Sequence, residues 1–136
     1  MKDRKIVETN VSILSINQDG VGLMHFKDGA TIDIAEQMEN LQGLIKLTDN
    51  NPTPFVITAG NYVSFTKEAK ENALLLEKNS PICASAIVVN NLAYRLIADF
   101  YIKIQKPKTP YKTFSNKDKA FEWCMGFVNN RAPNLF

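Results

Sequence analysis

The chain has a single histidine, His25, and two cysteines, Cys83 and Cys124. With no second histidine and no H-E-x-x-H or paired Cys/His spacing, a metal centre has no ligand set to start from. The cysteines are far apart in the sequence, form no C-x-x-C pair and lie in apolar surroundings, so both are expected as reduced core residues. A Ser/His/Asp or Cys/His arrangement would have to use His25, yet the sequence has neither a G-x-S-x-G elbow nor another nucleophile motif. Phosphate loops of the G-x-x-x-x-G-K or G-x-G-x-x-G kind are missing too. No catalytic residue, metal or cofactor is therefore expected, and the protein reads as a non-enzyme.

Charge of one sign is also lacking. Sixteen basic residues stand against 14 acidic ones, a net +2, which is too balanced to draw a polyanion, so nucleic acid is not an expected partner. No apolar run approaches the roughly 18 residues that span a bilayer, because Arg95, Asp99 and Lys103 interrupt the greasiest region. Met1 to Lys5 is charged and leads into a mixed run, Ile6 to Asn10, rather than a signal segment. A cytoplasmic protein is the expectation. What is present is ordinary globular material: 136 residues with 45% hydrophobic and 22% charged can bury the core of one domain, 1–136, without disulfides.

The order of elements follows from periodicity. Val11 to Ile16 and Val21 to Phe26 flank the turn Asn17-Gln18-Asp19-Gly20 and predict a β-hairpin. Asp33 to Leu47 shifts to helical spacing, with Ile34, Met38, Leu41 and Ile45 on one face and Asp33 with Glu36 as a capping pair. Phe55 to Thr58 is a short apolar run, as expected of a strand covered on both faces. A second helix starts at Thr66 with Ala69, Ala73 and Leu76 inward, and Ile82 to Val89 is the most strand-like run in the chain. A helical pattern from Leu92 to Ile104 follows, then a short strand at Tyr111 to Phe114, then a helix capped by Ser115 and Asp118 that sets Ala120, Phe121, Cys124 and Val128 near one face. The fold class is thus α/β: a mixed sheet with a parallel centre, an N-terminal β-hairpin and about four helices.

The run Ala98-Asp99-Phe100-Tyr101-Ile102-Lys103-Ile104-Gln105-Lys106-Pro107-Lys108-Thr109-Pro110, then Lys112-Thr113-Phe114-Ser115 and Ala120-Phe121-Glu122-Trp123, resembles a signature of small bacterial SpoIIAA-like (STAS-like) proteins of unknown function. Thr66-Lys67-Glu68-Ala69-Lys70 and Ala86-Ile87-Val88-Val89-Asn90 match the same pattern upstream. The resemblance implies a SpoIIAA-like fold. Better-known STAS proteins, antagonists of anti-sigma factors, carry a phosphorylatable Ser or Thr in a D-S-S/T-G-type loop. Here the corresponding stretch, Thr58 to Thr66, lacks that motif, so the phosphosite is not carried over.

Two surfaces remain as candidates for contact with a partner or ligand. Ser64 and Thr66 stand where a strand enters a helix and where free N–H groups can meet an anion, although Thr66 also suits a plain N-cap. On the helix from Leu92 to Ile104, Arg95, Asp99 and Lys103 make one narrow polar stripe. Tyr94, Ile97, Phe100, Tyr101 and Ile102 cover more apolar circumference than one sheet face needs. Burial inside the chain, a homodimer interface or an apolar-ligand pocket would each hide it. Lys103, Lys106, Lys108 and Lys112 read as a solvated loop edge, and Trp123 as packing against Phe127. A non-catalytic regulatory or protein-interaction domain, homodimeric and open to a regulatory protein partner, is the function expected. A carrier of an apolar or lipid-like small molecule is the alternative.

Overall fold

The computed structural model describes residues 5–91, 95 and 108–131. In chain order its elements are β1 (Lys5–Glu8), β2 (Ser12–Ile16), β3 (Gly22–Phe26), β4 (Thr31–Ile32), α1 (Ile34–Thr48), β5 (Thr53–Ala59), β6 (Ser64–Phe65), α2 (Lys67–Glu77), β7 (Ile82–Val88), β8 (Tyr111–Phe114) and α3 (Lys117–Arg131). Six strands form one mixed sheet in the order β1-β2-β3-β5-β7-β8. The β1/β2 and β2/β3 pairs are antiparallel; β3/β5, β5/β7 and β7/β8 are parallel. The expected parallel centre and N-terminal hairpin are both present. Of the helix expected from Leu92 to Ile104 only Arg95 is described: it is helical, with its N–H donated to Asn91 O at 2.9 Å, and the rest lies outside the described residues.

Alternation along the strands sends two sets of apolar side chains to opposite faces. Leu14, Met24 and Phe55 pack with Leu44 and Leu47 of α1 on one face, while Val56 and Ala86 pack with Ala120 and Cys124 of α3 on the other. Both faces of β5 are thus covered, which is why Phe55 and Val56 are each fully buried in a continuous apolar run. The alanines let α3 approach the sheet closely, and Phe114, Trp123 and Phe127 form a chain of tilted ring contacts beside it.

Three sequence expectations need correction. The order expected from the sequence lacks β1, β4 and β6, which are short, and two of them, β4 and β6, pair only with each other as a two-stranded parallel ladder. The inward face of α1 is not the stripe Ile34, Met38, Leu41, Ile45: Ile34 and Met38 are exposed, and the buried positions are Asn40, Leu41, Gly43, Leu44, Leu47 and Thr48. Asn40 can face inward because its amide is satisfied there, accepting from the Ser12 hydroxyl and donating toward the Met24 sulfur, as a buried polar group requires. The last helix is capped by Asn116 rather than by Ser115 and Asp118. Asn116 directly precedes the first turn, and its side-chain oxygen accepts the Lys119 N–H at 3.0 Å.

Candidate functional site

The chemistry-bearing residues collect where β3 and β5 run out into loops and α1 and α2 begin. Asp33 caps α1, its N–H bonded to Glu36 Oε1 at 2.9 Å. Thr66 caps α2, its hydroxyl accepting the Ala69 N–H at 3.0 Å and donating to Asp33 Oδ1 at 2.8 Å. The two helix starts are therefore joined by one hydroxyl. That donated hydrogen bond, with a second from the Ile34 N–H, holds the Asp33 carboxyl below its ordinary value against a small opposing effect of burial. Deeper along the helices, Gln37 donates to the Ala69 carbonyl at 2.6 Å and accepts from Asn72 at 3.1 Å, which fixes α1 and α2 side by side.

The loop between β5 and α2 is laced to the loop after β3. Gly60 N–H donates to Phe26 O, Asn61 N–H to Asp28 Oδ1, Gly29 N–H to Asn61 O and Ser64 N–H to Ala30 O, at 2.7 to 2.9 Å. Between these anchors Tyr62 takes a left-handed backbone, φ +61°, and is 84% exposed. The other described non-glycine residues with positive φ, Asp49 and Asn50, terminate α1, where that conformation is usual. For an aromatic outside a helix cap it is a genuine outlier. Phe65 follows, its ring edge-on to Phe26 with centroids 5.4 Å apart, yet itself partly exposed.

Of seven exposed large hydrophobics among the described residues, five (Ile34, Met38, Tyr62, Phe65 and Leu75) belong to α1, α2 or the segment leading into α2. The exposed apolar side chains are thus concentrated on the two helices and the segment that leads into α2, which makes this side of the domain a candidate contact surface. Behind it, between α1, α2 and the sheet, lies a cleft of about 300 Å³ whose lining includes Met24, Leu41, Ile57, Phe65, Ala73 and Ile87.

The sequence-predicted candidates divide. Ser64 lies exposed in β6 and Thr66 is an N-cap whose hydroxyl is used on both sides, so the two do not converge on an open anion site. Tyr94, Ile97, Phe100 and Tyr101 lie outside the described residues. His25 Nδ1 lies 2.8 Å from Thr58 Oγ1 on adjacent strands. Neither cysteine forms a disulfide, and burial, reinforced by Cys83, pushes the Cys124 thiol up to about 12. Among the described residues no group of three or more His, Cys, Asp or Glu could hold a metal ion, and no helix is long and apolar enough to cross a membrane. The sequence points to the Gly60–Thr66 junction for contacts but does not single out Tyr62 or Phe65 within it, nor Leu75. The only signal was the Gly60-Asn61 turn, which marks the loop but not the conformation of the next residue.

Comparison with known proteins places the chain in a family. The model of a domain of unknown function, DUF7793, matches residues 14–128. The chain belongs to the DUF7793 family. No curated protein matches it. Among solved structures, this DUF7793 domain is similar to an uncharacterised DUF3478-family protein with a SpoIIAA-like fold from Shewanella loihica PV-4. The TM-score is 0.56 at 14% sequence identity, over 91% of this chain and 97% of that one. At that identity the likeness is one of fold, and the SpoIIAA-like architecture expected from the sequence is present in this DUF7793 domain.

Proposed function

We propose that this DUF7793 domain is a non-catalytic, cytoplasmic protein-interaction domain. It works as a homodimer and docks a regulatory protein partner on the surface formed by the Gly60–Thr66 segment and the starts of α1 and α2. The observation that carries the reading is Tyr62. A left-handed backbone costs a non-glycine residue on the order of 1 kcal/mol, and nothing in the fold is gained by placing an exposed aromatic there. A solvent-facing tyrosine on a hydrogen-bonded loop is instead the form of a binding anchor, since an aromatic with two side-chain torsions loses little entropy on docking.

The reading is tested by Tyr62→Gly, which relieves the backbone and removes the ring. Thermal stability should stay level or rise, while a partner retained from native lysate by the wild-type chain should be lost. Gly126→Ala, on α3, should retain it. A variant that is as stable as the wild type and binds the same partner overturns the reading.

The 300 Å³ cleft favours a second reading, a carrier for a small apolar molecule. Its lining is chiefly aliphatic and aromatic, as in small-molecule sites generally. Native mass spectrometry of the freshly purified protein separates the two: a co-purifying apolar molecule supports the carrier, and a clean apo mass supports the interaction domain.

A further inference from the structure

The outer face of α2 carries Glu68, Glu71, Leu75 and Lys78 at i, i+3, i+7 and i+10, all exposed and turned away from the buried Ala69. Leu75 is 64% exposed, among the most exposed large hydrophobics described. A lone surface leucine needs no explanation, but this one is flanked in an ordered way. The acids precede it and the base follows it, and among the described residues neither Glu71 nor Lys78 has an ion-pair partner. On the neighbouring helix, Met38 follows Gln37, whose side chain binds Asn72 one turn before Leu75, and it too is exposed.

We propose that two copies of this chain associate through this face, with the α2 helices antiparallel about a two-fold axis at Leu75. Glu71 of each copy then pairs with Lys78 of the partner subunit. The charge order selects this occupant. At 1.5 Å rise per residue, Glu71 lies about 6 Å before Leu75 and Lys78 about 4.5 Å after it. An antiparallel copy therefore sets each Glu71 within about 1.5 Å, along the axis, of a Lys78, well inside the reach of both side chains. Both residues lie to the same side of Leu75 on the helix, and a two-fold axis crossing the helix in the interface plane keeps that side, so both pairs form together. A parallel copy would set acid on acid. The central leucines supply the apolar part of the contact, and the two reciprocal pairs fix its register. The dimer rests on the reading of the protein as an interaction domain and gives that domain its symmetry.

Sedimentation equilibrium of the full chain across a concentration series tests this. The wild type should show a monomer–dimer equilibrium that weakens with added salt, and Leu75→Glu should be monomeric. Glu71→Lys and Lys78→Glu should each raise Kd about tenfold or more, while the double swap should return it to within about threefold of the wild type, as reciprocal surface pairs require. All three positions are exposed, so the variants should keep the wild-type circular dichroism spectrum and melting temperature. A wild type that stays monomeric, a dimer indifferent to Leu75→Glu, or a double swap no better than the single ones overturns the proposal. Partner capture by Tyr62, assayed on the same variants, fails or survives separately and so reports on the docking surface alone.

Discussion

Thr66 Oγ1 stands between two helices, 3.0 Å from the Ala69 N–H that it accepts and 2.8 Å from the Asp33 oxygen to which it donates. One hydroxyl thus caps α2 and ties it to the cap of α1, adding to the Gln37 bonds that hold the two helices side by side.

Removing that hydroxyl should be felt at both helices. Thr66→Ala is expected to lower stability by about 1 kcal/mol, the usual loss of a Thr cap. Thr66→Ser should recover most of it because the oxygen stays. Urea unfolding of the three proteins checks this, and Asn72 and Ala69 amides should exchange faster in the alanine variant.

Glu77 closes the far end of α2 by accepting the Thr109 N–H at 2.6 Å and the Lys108 N–H at 3.3 Å. Burial by itself would raise its pKa, but the Thr109 hydroxyl, the two N–H groups and the Lys108 charge together hold it below its ordinary value of 4.5. A carboxylate depressed on folding stabilises fully above its unfolded pKa and loses that contribution as pH falls through the folded one. Glu77→Gln should therefore be less stable than the wild type at pH 7, with the gap narrowing from about pH 4.5 downward. Melting curves of the pair from pH 7 to pH 3 measure it.

A methyl group at Gly60 would run into Asp28, meeting its side-chain oxygen and lying 3.0 Å from its backbone nitrogen. That oxygen holds the Asn61 N–H, so it cannot move away freely. Gly60→Ala should cost about 1–3 kcal/mol, as overpacking does, and should loosen the Tyr62 loop. Gly126→Ala meets nothing within 4 Å and should stabilise α3 by about 0.5–1 kcal/mol. Paired thermal denaturation separates these opposite signs.

The two thiols should differ in reactivity. Cys124 is fully buried and its thiol is pushed up to about 12, whereas Cys83 is only half-buried. Because the thiolate is the reactive form, iodoacetamide on the native protein at pH 8 should modify Cys83 first. Cys124 should react only after denaturant is added, and peptide mass mapping reads the order.

The sequence by itself determined the alternation of strands and helices. The apolar runs at Phe55 and Ile82 are too short for helices and too continuous for a half-exposed sheet, which leaves adjacent parallel strands between helices. The Asn17–Gly20 turn likewise fixed the hairpin, and Thr66 the start of α2, because those signals act over a few residues. Only the tertiary structure decided which way α1 turns. Helical spacing placed Ile34 and Met38 on one face but could not tell whether the sheet or solvent lay beneath it. Ser12 and Met24, distant in sequence, satisfy Asn40 and so make the neighbouring face the buried one. The candidate site was legible only in part: the Gly60–Thr66 junction stands out in the sequence, but the left-handed backbone of Tyr62 does not, because its loop is held by hydrogen bonds to the loop around Asp28, more than thirty residues away, and no local pattern encodes a neighbour supplied by the fold.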